Sequence, residues 1–209
     1  MRSEEKKAAK QRILETATSL FAKKGFASVG VREIAEKASV NISMISYYFN
    51  GKSGILCTIL KDFLEGYFAL FEVLKLPGLS VEERIRELIH RIVFYVRENR
   101  DAGIVLYNEM VLQNPDVYEI KAQGISRILK RLEVIFYELH IDPDDKTLIG
   151  IVGPALMGIV FTHFRNRAAF SEFFQLKTDD TFYERYADTV ATLFLRGVTG
   201  LAAQYQKKE

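Results

Sequence analysis

The chain has 209 residues, is 48 % hydrophobic and 27 % charged, and sets 29 Lys and Arg against 27 Asp and Glu. That balance excludes a disordered or collagen-like chain and suits a globular protein of one domain or two small ones. A single cysteine, Cys57, excludes an internal disulfide, and the first thirty residues lack an apolar block behind a charged start, so a reducing cytoplasm is expected.

The near-neutral total hides an asymmetry. Residues 1–52 hold ten Lys and Arg and five Asp and Glu, a net of +5, whereas residues 53–209 hold 19 and 22, a net of −3. A basic N-terminal quarter on a mildly acidic remainder points to one end that meets a polyanion. The longest uncharged run, residues 147–164, has 18 residues and reaches the lower edge of a membrane span. Three glycines, Pro154 and His163 interrupt it, so a buried helix is expected there and no membrane contact.

In chain order, Ile13, Ala17, Leu20 and Phe21 recur at helical spacing and the pattern stops at Gly25. A second helix starts after Gly30, with Val31, Ile34, Ala35 and Ala38 on one face, and ends at Ser39 and Val40. Asn41 is a good N-cap for a third, which runs to Phe49 and closes at Asn50 and Gly51. A fourth pattern begins at Lys52 and continues to about residue 75, before Pro77 and Gly78 break it. Ser80 and Glu83 form a capping box for a fifth helix, and Asp101 caps a shorter sixth. Asn114 before Pro115 and Asp142 before Pro143 predict starts at residues 115 and 143, and a last helix covers residues 180–205. No strand alternation is present, so the expected fold class is all-α with about nine helices.

Two short helices joined at residues 38–40, laid over a first helix in the basic quarter, are the sequence form of a helix-turn-helix. The second of such a pair enters the major groove of DNA. No charged residue occurs from Ala38 to Gly51, so the face of the third helix consists of Asn41, Ile42, Ser43, Met44, Ser46, Tyr47 and Tyr48. Base reading then rests on amide and hydroxyl hydrogen bonds and on contact with thymine methyls. Arg32 on the second helix is the candidate guanine contact, and Lys6, Lys7, Lys10, Arg12, Lys23, Lys24 and Lys52 are candidates for phosphate attraction.

The stretch RILETATSLFAKKGFASVGVREIAEKASVNISMISYYFNGKSGIL, from Arg12 to Leu56, closely resembles the DNA-binding domain of TetR/AcrR-family transcriptional regulators. The matching pieces are Ile13 with Leu14, Leu20 with Phe21, Gly25 with Phe26, the run VREIA from Val31, Val40, the Tyr47, Tyr48, Phe49 ending, and Lys52. The resemblance implies DNA contacts from Arg32, Ser43, Met44, Ser46, Tyr47, Tyr48 and Lys52. It also implies a homodimer whose DNA-binding domain, residues 1–52, is controlled by a small molecule bound in residues 53–209. Three positions depart from the family pattern. Gly30 stands where Thr or Ser often caps the second helix, Gly51 stands where a small polar residue is common, and Ser39 replaces the usual turn glycine. Holding Ser39 left-handed costs on the order of 1 kcal/mol.

In the C-terminal part, Gly150, Gly153 and Gly158 allow close helix approach, and Phe194, Gly197, Val198 and Leu201 form an apolar stripe at helical spacing. Two such helices from each of two chains make a four-helix dimer interface, as the resemblance implies. Tyr67, Phe71, Ile92, Tyr95 and Tyr107 are candidates to line an apolar cavity, with Met110, Phe136, Met157 and Phe161. An apolar or aromatic effector is therefore expected, oriented by tyrosine hydroxyls or His163.

His90, His140 and His163 lack a metal-ligand spacing, Cys57 reads as a buried structural thiol, and residues 197–200 follow no strand and form no phosphate loop. No enzyme, metal or cofactor is expected. The function expected is a ligand-responsive repressor on a palindromic operator. The alternatives are an activator of the same fold and a helical small-molecule or lipid-binding module without sequence-specific DNA binding.

Overall fold

Nine α-helices and no strand are found among the described residues of the computed structural model, which are 2–111, 115–142 and 144–206. The side chains of residues 2–4, 110, 111, 116 and 198–206 lie outside that description. They include Met110, Val198 and Leu201 of the expected sites.

Helix α1 spans Arg2–Lys24 and ends where Gly25 turns left-handed at φ 79°, its N–H bonding the Phe21 carbonyl at 2.9 Å. Helices α2 (Val31–Lys37) and α3 (Ile42–Phe49) have seven and eight residues. Isolated helices that short do not hold in water, so packing must stabilise them. Both lie against α1, and Ile34, Ala35, Ala38, Ile45 and Phe49 join Ile13, Ala17, Leu20 and Phe21 as buried core.

Helix α4 covers Lys52–Ala69 and then tightens into a 3-10 stretch, Leu70–Lys75, instead of continuing as one α-helix to residue 75. The physical reason is Pro77. It forces Leu76 into extended backbone, and a 3-10 turn satisfies the last amides in less length, with Leu76 N–H on the Val73 carbonyl at 3.1 Å. Helix α5 (Val81–Glu98) starts on the expected capping box. Ser80 N–H donates to the Glu83 carboxylate at 2.7 Å and Glu83 N–H to the Ser80 hydroxyl at 3.2 Å.

Helix α6 (Arg100–Val111) begins one residue ahead of Asp101, which sits inside the first turn rather than capping it. There its charge favours the helix dipole, while Gly103 N–H bonds the Asn99 carbonyl at 2.9 Å. Helix α7 covers Pro115–Glu138, and its expected cap, Asn114, lies outside the described residues. Helix α8 (Lys146–Phe173) starts three residues later than expected. Asp145 is the cap, accepting from Leu148 N–H at 2.9 Å, while Asp142 closes a turn by accepting from Asp144 N–H at 2.8 Å. Pro143 lies outside the described residues. Helix α9 covers Asp180–Gln206, with Asp179 accepting from Phe182 N–H at 3.1 Å.

The chain divides into two compact units. The first comprises Met1–Glu65 and Asn99–Gly124, and in it α6 packs along α1 beside α2 and α3. The second comprises Gly66–Glu98 and Ile125–Glu209, where α5 packs on α9, on α8 and on the 3-10 stretch. Buried Arg84 staples this second unit, donating to the Leu74 carbonyl at 2.7 Å and pairing with Glu138 of α7.

Two expectations about burial need correcting. Cys57 is half-buried. Helix α8 is long and apolar enough to cross a membrane by length and composition, yet only 22 % of its most apolar window is buried within the chain. Leu148, Val160, Phe161, His163 and Phe164 face inward, while Gly150, Ile151, Gly153, Pro154 and Ala155 face out. The uncharged run alternates faces at helical spacing, so one chain covers only one side of it.

Candidate nucleic-acid interface

The turn between α2 and α3 is compact. Ala38, Ser39 and Val40 N–H groups bond the carbonyls of Ile34, Glu36 and Ala35 at 2.9, 3.1 and 3.0 Å. Closing it requires Ser39 at φ 53°, the left-handed conformation foreseen for this glycine-lacking turn. Asn41 then caps α3, its side-chain oxygen accepting from Ser43 N–H at 2.9 Å and from the Ser43 hydroxyl at 2.7 Å. That oxygen is committed, which leaves the Asn41 amide N–H₂ as the group facing outward chemistry.

Ile45 and Phe49 anchor α3 to the core, and the opposite face is open. Asn41, Ser43 and Ser46 are exposed, Met44 and Tyr48 are half-buried, and Ile42 and Tyr47 stand 45 % and 74 % exposed. The rings of Tyr47 and Tyr48 meet edge to face at 5.0 Å. Arg32 is exposed on the first turn of α2, whose cap, Gly30, gives no side-chain hydrogen bond.

The basic residues divide by what they already hold. Lys24 and Lys37 pair with Glu33 at 2.7 and 3.3 Å, and these contacts, Lys24 first, hold the Glu33 carboxyl below the usual carboxylate range. Arg12 donates through Nε to the Ala38 carbonyl at 3.3 Å, so it supports the α2–α3 turn. Lys10 lies 5.8 Å from the Phe49 ring centre, which places the basic start of α1 beside the end of α3, with Lys6 and Lys7 exposed one turn earlier. Lys52 turns its ammonium to Phe26, at 3.0 Å from the carbonyl and 4.3 Å from the ring centre.

Gly54 is a residue that sequence reasoning missed. A Cβ there would overlap the Phe49 carbonyl, so only glycine lets the first turn of α4 cross the end of α3. A glycine inside a helix's first turn is the available signal.

In the second unit, the rings of Tyr67, Phe71 and Tyr95 gather, at 5.5 Å for Tyr67 with Phe71 and 6.4 Å for Tyr67 with Tyr95. The Tyr67 hydroxyl donates to Met157 Sδ at 3.5 Å, and burial pushes its pKa up. Ile92, Phe136 and Phe161 are buried, and Tyr95 and Met157 are half-buried. Tyr107 is half-buried on α6 in the first unit.

His163 is buried among Phe164, Phe182, Tyr183 and Tyr186, the last at 4.5 Å between ring centres, and its Nε2 has no hydrogen-bond partner. Burial, with Arg167 nearby, lowers its pKa to about 4. His90 instead makes a surface contact, Nε2 to Asp188 at 2.9 Å. No group of three or more His, Cys, Asp or Glu able to hold a metal occurs among the described residues.

On the outer side of α8 and α9, Cβ atoms added at Gly150, Gly153, Gly158 or Gly197 would meet nothing within 4 Å. Ile151 and Leu193 are 59 % and 61 % exposed, whereas Phe194, expected at a dimer interface, is half-buried against the Phe136, Ile141 and Leu148 core of its own chain.

Residues 13–57 match the family described as bacterial regulatory proteins, tetR family. The chain is 34 % identical over 139 residues to "Probable HTH-type transcriptional regulator YttP" of Bacillus subtilis, a match covering 66 % of this chain and 65 % of that one. It is 27 % identical over 97 residues to the HTH-type transcriptional repressor KstR2 of Mycolicibacterium smegmatis, covering 46 % of this chain and 47 % of the relative. The chain thus spans between about half and just under two thirds of these curated relatives. In fold it resembles a TetR-like transcriptional regulator from Rhodococcus sp. RHA1, with a TM-score of 0.67 at 21 % identity over 92 % of this chain and 96 % of that one.

Proposed function

We propose that this chain, which belongs to the tetR family of bacterial regulatory proteins, is a cytoplasmic, ligand-responsive repressor that binds a palindromic operator as a homodimer. The observation that carries the reading is the exposed, uncharged face of α3, mounted on α1 and α2 and capped at Asn41. In the major groove, Asn41, Ser43, Ser46 and Tyr47 offer hydrogen bonds to base edges, Ile42 and Met44 offer apolar contact to thymine methyls, and Tyr48 supports Tyr47. Arg32, exposed on the first turn of α2, adds a guanidinium as the candidate guanine contact. The name of the relative KstR2, a repressor, supports the direction of control.

Dimerisation is supported by the bare outer side of α8 and α9. A Cβ added at its glycines would meet nothing within 4 Å, and Ile151 and Leu193 on these helices are exposed. A second copy applying the same side would give a two-fold interface and two recognition helices at fixed spacing. Gly150, Gly158 and Gly197 belong to that proposed contact.

For the effector we propose an apolar or aromatic molecule held among Tyr67, Phe71, Ile92, Tyr95, Phe136, Met157 and Phe161. Helix α4 begins at Lys52 in the first unit and ends at Ala69 in the second, so a ligand that displaces its end also displaces its start. Such a ligand acts only by its different affinity for the two arrangements. The domain reading is residues 1–52 for DNA and 53–209 for effector and dimer.

Selection of duplexes from a random-sequence pool by the full chain tests this reading. Recovery of one palindromic sequence supports it, and recovery of unrelated sequences contradicts it.

A further inference from the structure

Two hydrogen bonds at the start of α3 fix which of its polar atoms can still donate. Ser43 N–H reaches the Asn41 side chain at 2.9 Å, and a backbone N–H only donates, so the atom it meets is the carbonyl oxygen. The Ser43 hydroxyl meets the same oxygen at 2.7 Å. A carbonyl oxygen carries no proton, so the hydroxyl spends its only one there. Ser43 is exposed, and its oxygen turns lone pairs alone to the outside.

An acceptor-only group is selective on DNA. Phosphate oxygens themselves only accept, as do guanine N7 and O6, adenine N7 and thymine O4, so none of them bonds such a serine. The donors on the major-groove edge are the amino groups of adenine and cytosine. A serine whose hydroxyl is free to rotate serves either kind of edge and discriminates little. Ser43 is the second residue of α3, and the first residues of a recognition helix are those that reach base edges.

We propose that Ser43, locked by Asn41 as an acceptor, reads the amino group of one adenine or cytosine in each half-site, and that Asn41 is the positioning residue that sets this polarity. The assignment deepens the DNA-binding reading above and rests on it. Asn41 keeps its own amide N–H₂ for a neighbouring acceptor, so the pair presents a donor beside an acceptor at the tip of α3.

The test uses the full chain as wild type, Ser43→Ala, Asn41→Gly and Asn41→Asp, with Ser46→Ala as the control for loss of a hydroxyl from the same face. Glycine caps a helix nearly as well as asparagine but has no side-chain oxygen, whereas aspartate keeps both the cap and an acceptor for the Ser43 hydroxyl. Duplexes that each protein binds from a random-sequence pool are sequenced. One base pair per half-site is expected to lose its preference in Ser43→Ala and to keep it in Ser46→Ala. At that pair, purine in place of adenine, or pyrimidinone in place of cytosine, removes the amino group. Wild type is expected to bind this duplex about three- to tenfold more weakly than the natural one, and Ser43→Ala to bind both alike. Inverting the pair puts thymine O4 or guanine O6 in place of the amino group. Wild type and Asn41→Asp should lose about tenfold on it, and Asn41→Gly much less, because its freed hydroxyl can donate. Ratios are taken within each variant, so a general loss of affinity cancels.

Equal wild-type affinity with and without the amino group overturns the proposal. So does an Asn41→Gly variant that keeps the full wild-type ratio, or the absence of any base pair that responds to Ser43→Ala. A wild type that selects no sequence contradicts the DNA-binding reading and this proposal with it, whereas a selected palindrome indifferent to the amino group overturns this proposal alone.

Discussion

Gly66 on α4 lies against the phenol of Tyr95 on α5 so closely that a Cβ at residue 66 would overlap the hydroxyl and the ring edge. The missing side chain lets α4 deliver Tyr67 beside Tyr95, with Phe71 one turn on. Gly66→Ala is expected to destabilise the protein by about 1–3 kcal/mol through overpacking. Thermal denaturation reads this directly. Adding Tyr95→Phe, which removes the overlapping oxygen, should recover part of the loss, whereas an unaffected single variant would show that α4 and α5 have room to spare.

Ser39 is held at φ 53° by the α2–α3 turn. A non-glycine residue there costs about 1–2 kcal/mol, and glycine returns about 0.4–1 of that through the freer unfolded chain. Ser39→Gly should therefore stabilise by about 0.5 kcal/mol, seen as a higher urea midpoint at constant slope, because the strain outweighs the entropy. A lower midpoint would show the strain to be absent.

His163 has a pKa lowered from 6.5 to about 4 by burial. Above pH 6.5 the imidazole is neutral in folded and unfolded chains alike, so its contribution to stability is constant there. Below 6.5 the unfolded chain takes up a proton that the folded chain refuses, and stability falls by up to about 1.4 kcal/mol per pH unit until pH reaches about 4. The difference in unfolding free energy between wild type and His163→Phe should carry this slope between pH 6.5 and 4.5 and be flat from 7 to 8. A difference that is flat throughout would mean a His163 open to solvent.

The outer side of α8 and α9 leads to a prediction on assembly. Ile151→Glu with Leu193→Glu places charges where a second copy is proposed to sit, and should convert dimer to monomer in sedimentation with the helical circular dichroism unchanged. Operator affinity should fall sharply, because one half-site no longer helps the other. A variant that remains dimeric would place the interface elsewhere.

Much of the fold was legible in the sequence because its signals are local. The Ser80 and Glu83 capping box, the left-handed Gly25 and the Asn41 cap each satisfy backbone groups within four residues. Local chemistry failed where two sites compete. Asp142 and Asp145 both make cap-like bonds, and only the path of the chain selects the second to start α8. The 3-10 stretch at Leu70–Lys75 was hidden because its apolar spacing fits a continued α-helix as well.

The exposed face of α3 was legible from its uncharged run, but the partners of its neighbours were not. Lys52 with Phe26 and Arg12 with Ala38 each span 26 residues, and nothing in the spacing tells a committed cation from a free one. Helix α8 carries the same lesson: apolar composition says that a surface must be covered, and not by which chain.

Tyr47 is 74 % exposed at the end of α3, so its removal takes away a proposed base contact and leaves the core intact. Fluorescence anisotropy should compare wild type and Tyr47→Ala on the selected palindrome and on a scrambled duplex of the same composition. Wild type is expected to bind the palindrome at least about a thousandfold more tightly, and Tyr47→Ala to lose about tenfold or more on the palindrome alone. Equal affinity of wild type for both duplexes, or an unchanged Tyr47→Ala, would contradict sequence reading by α3.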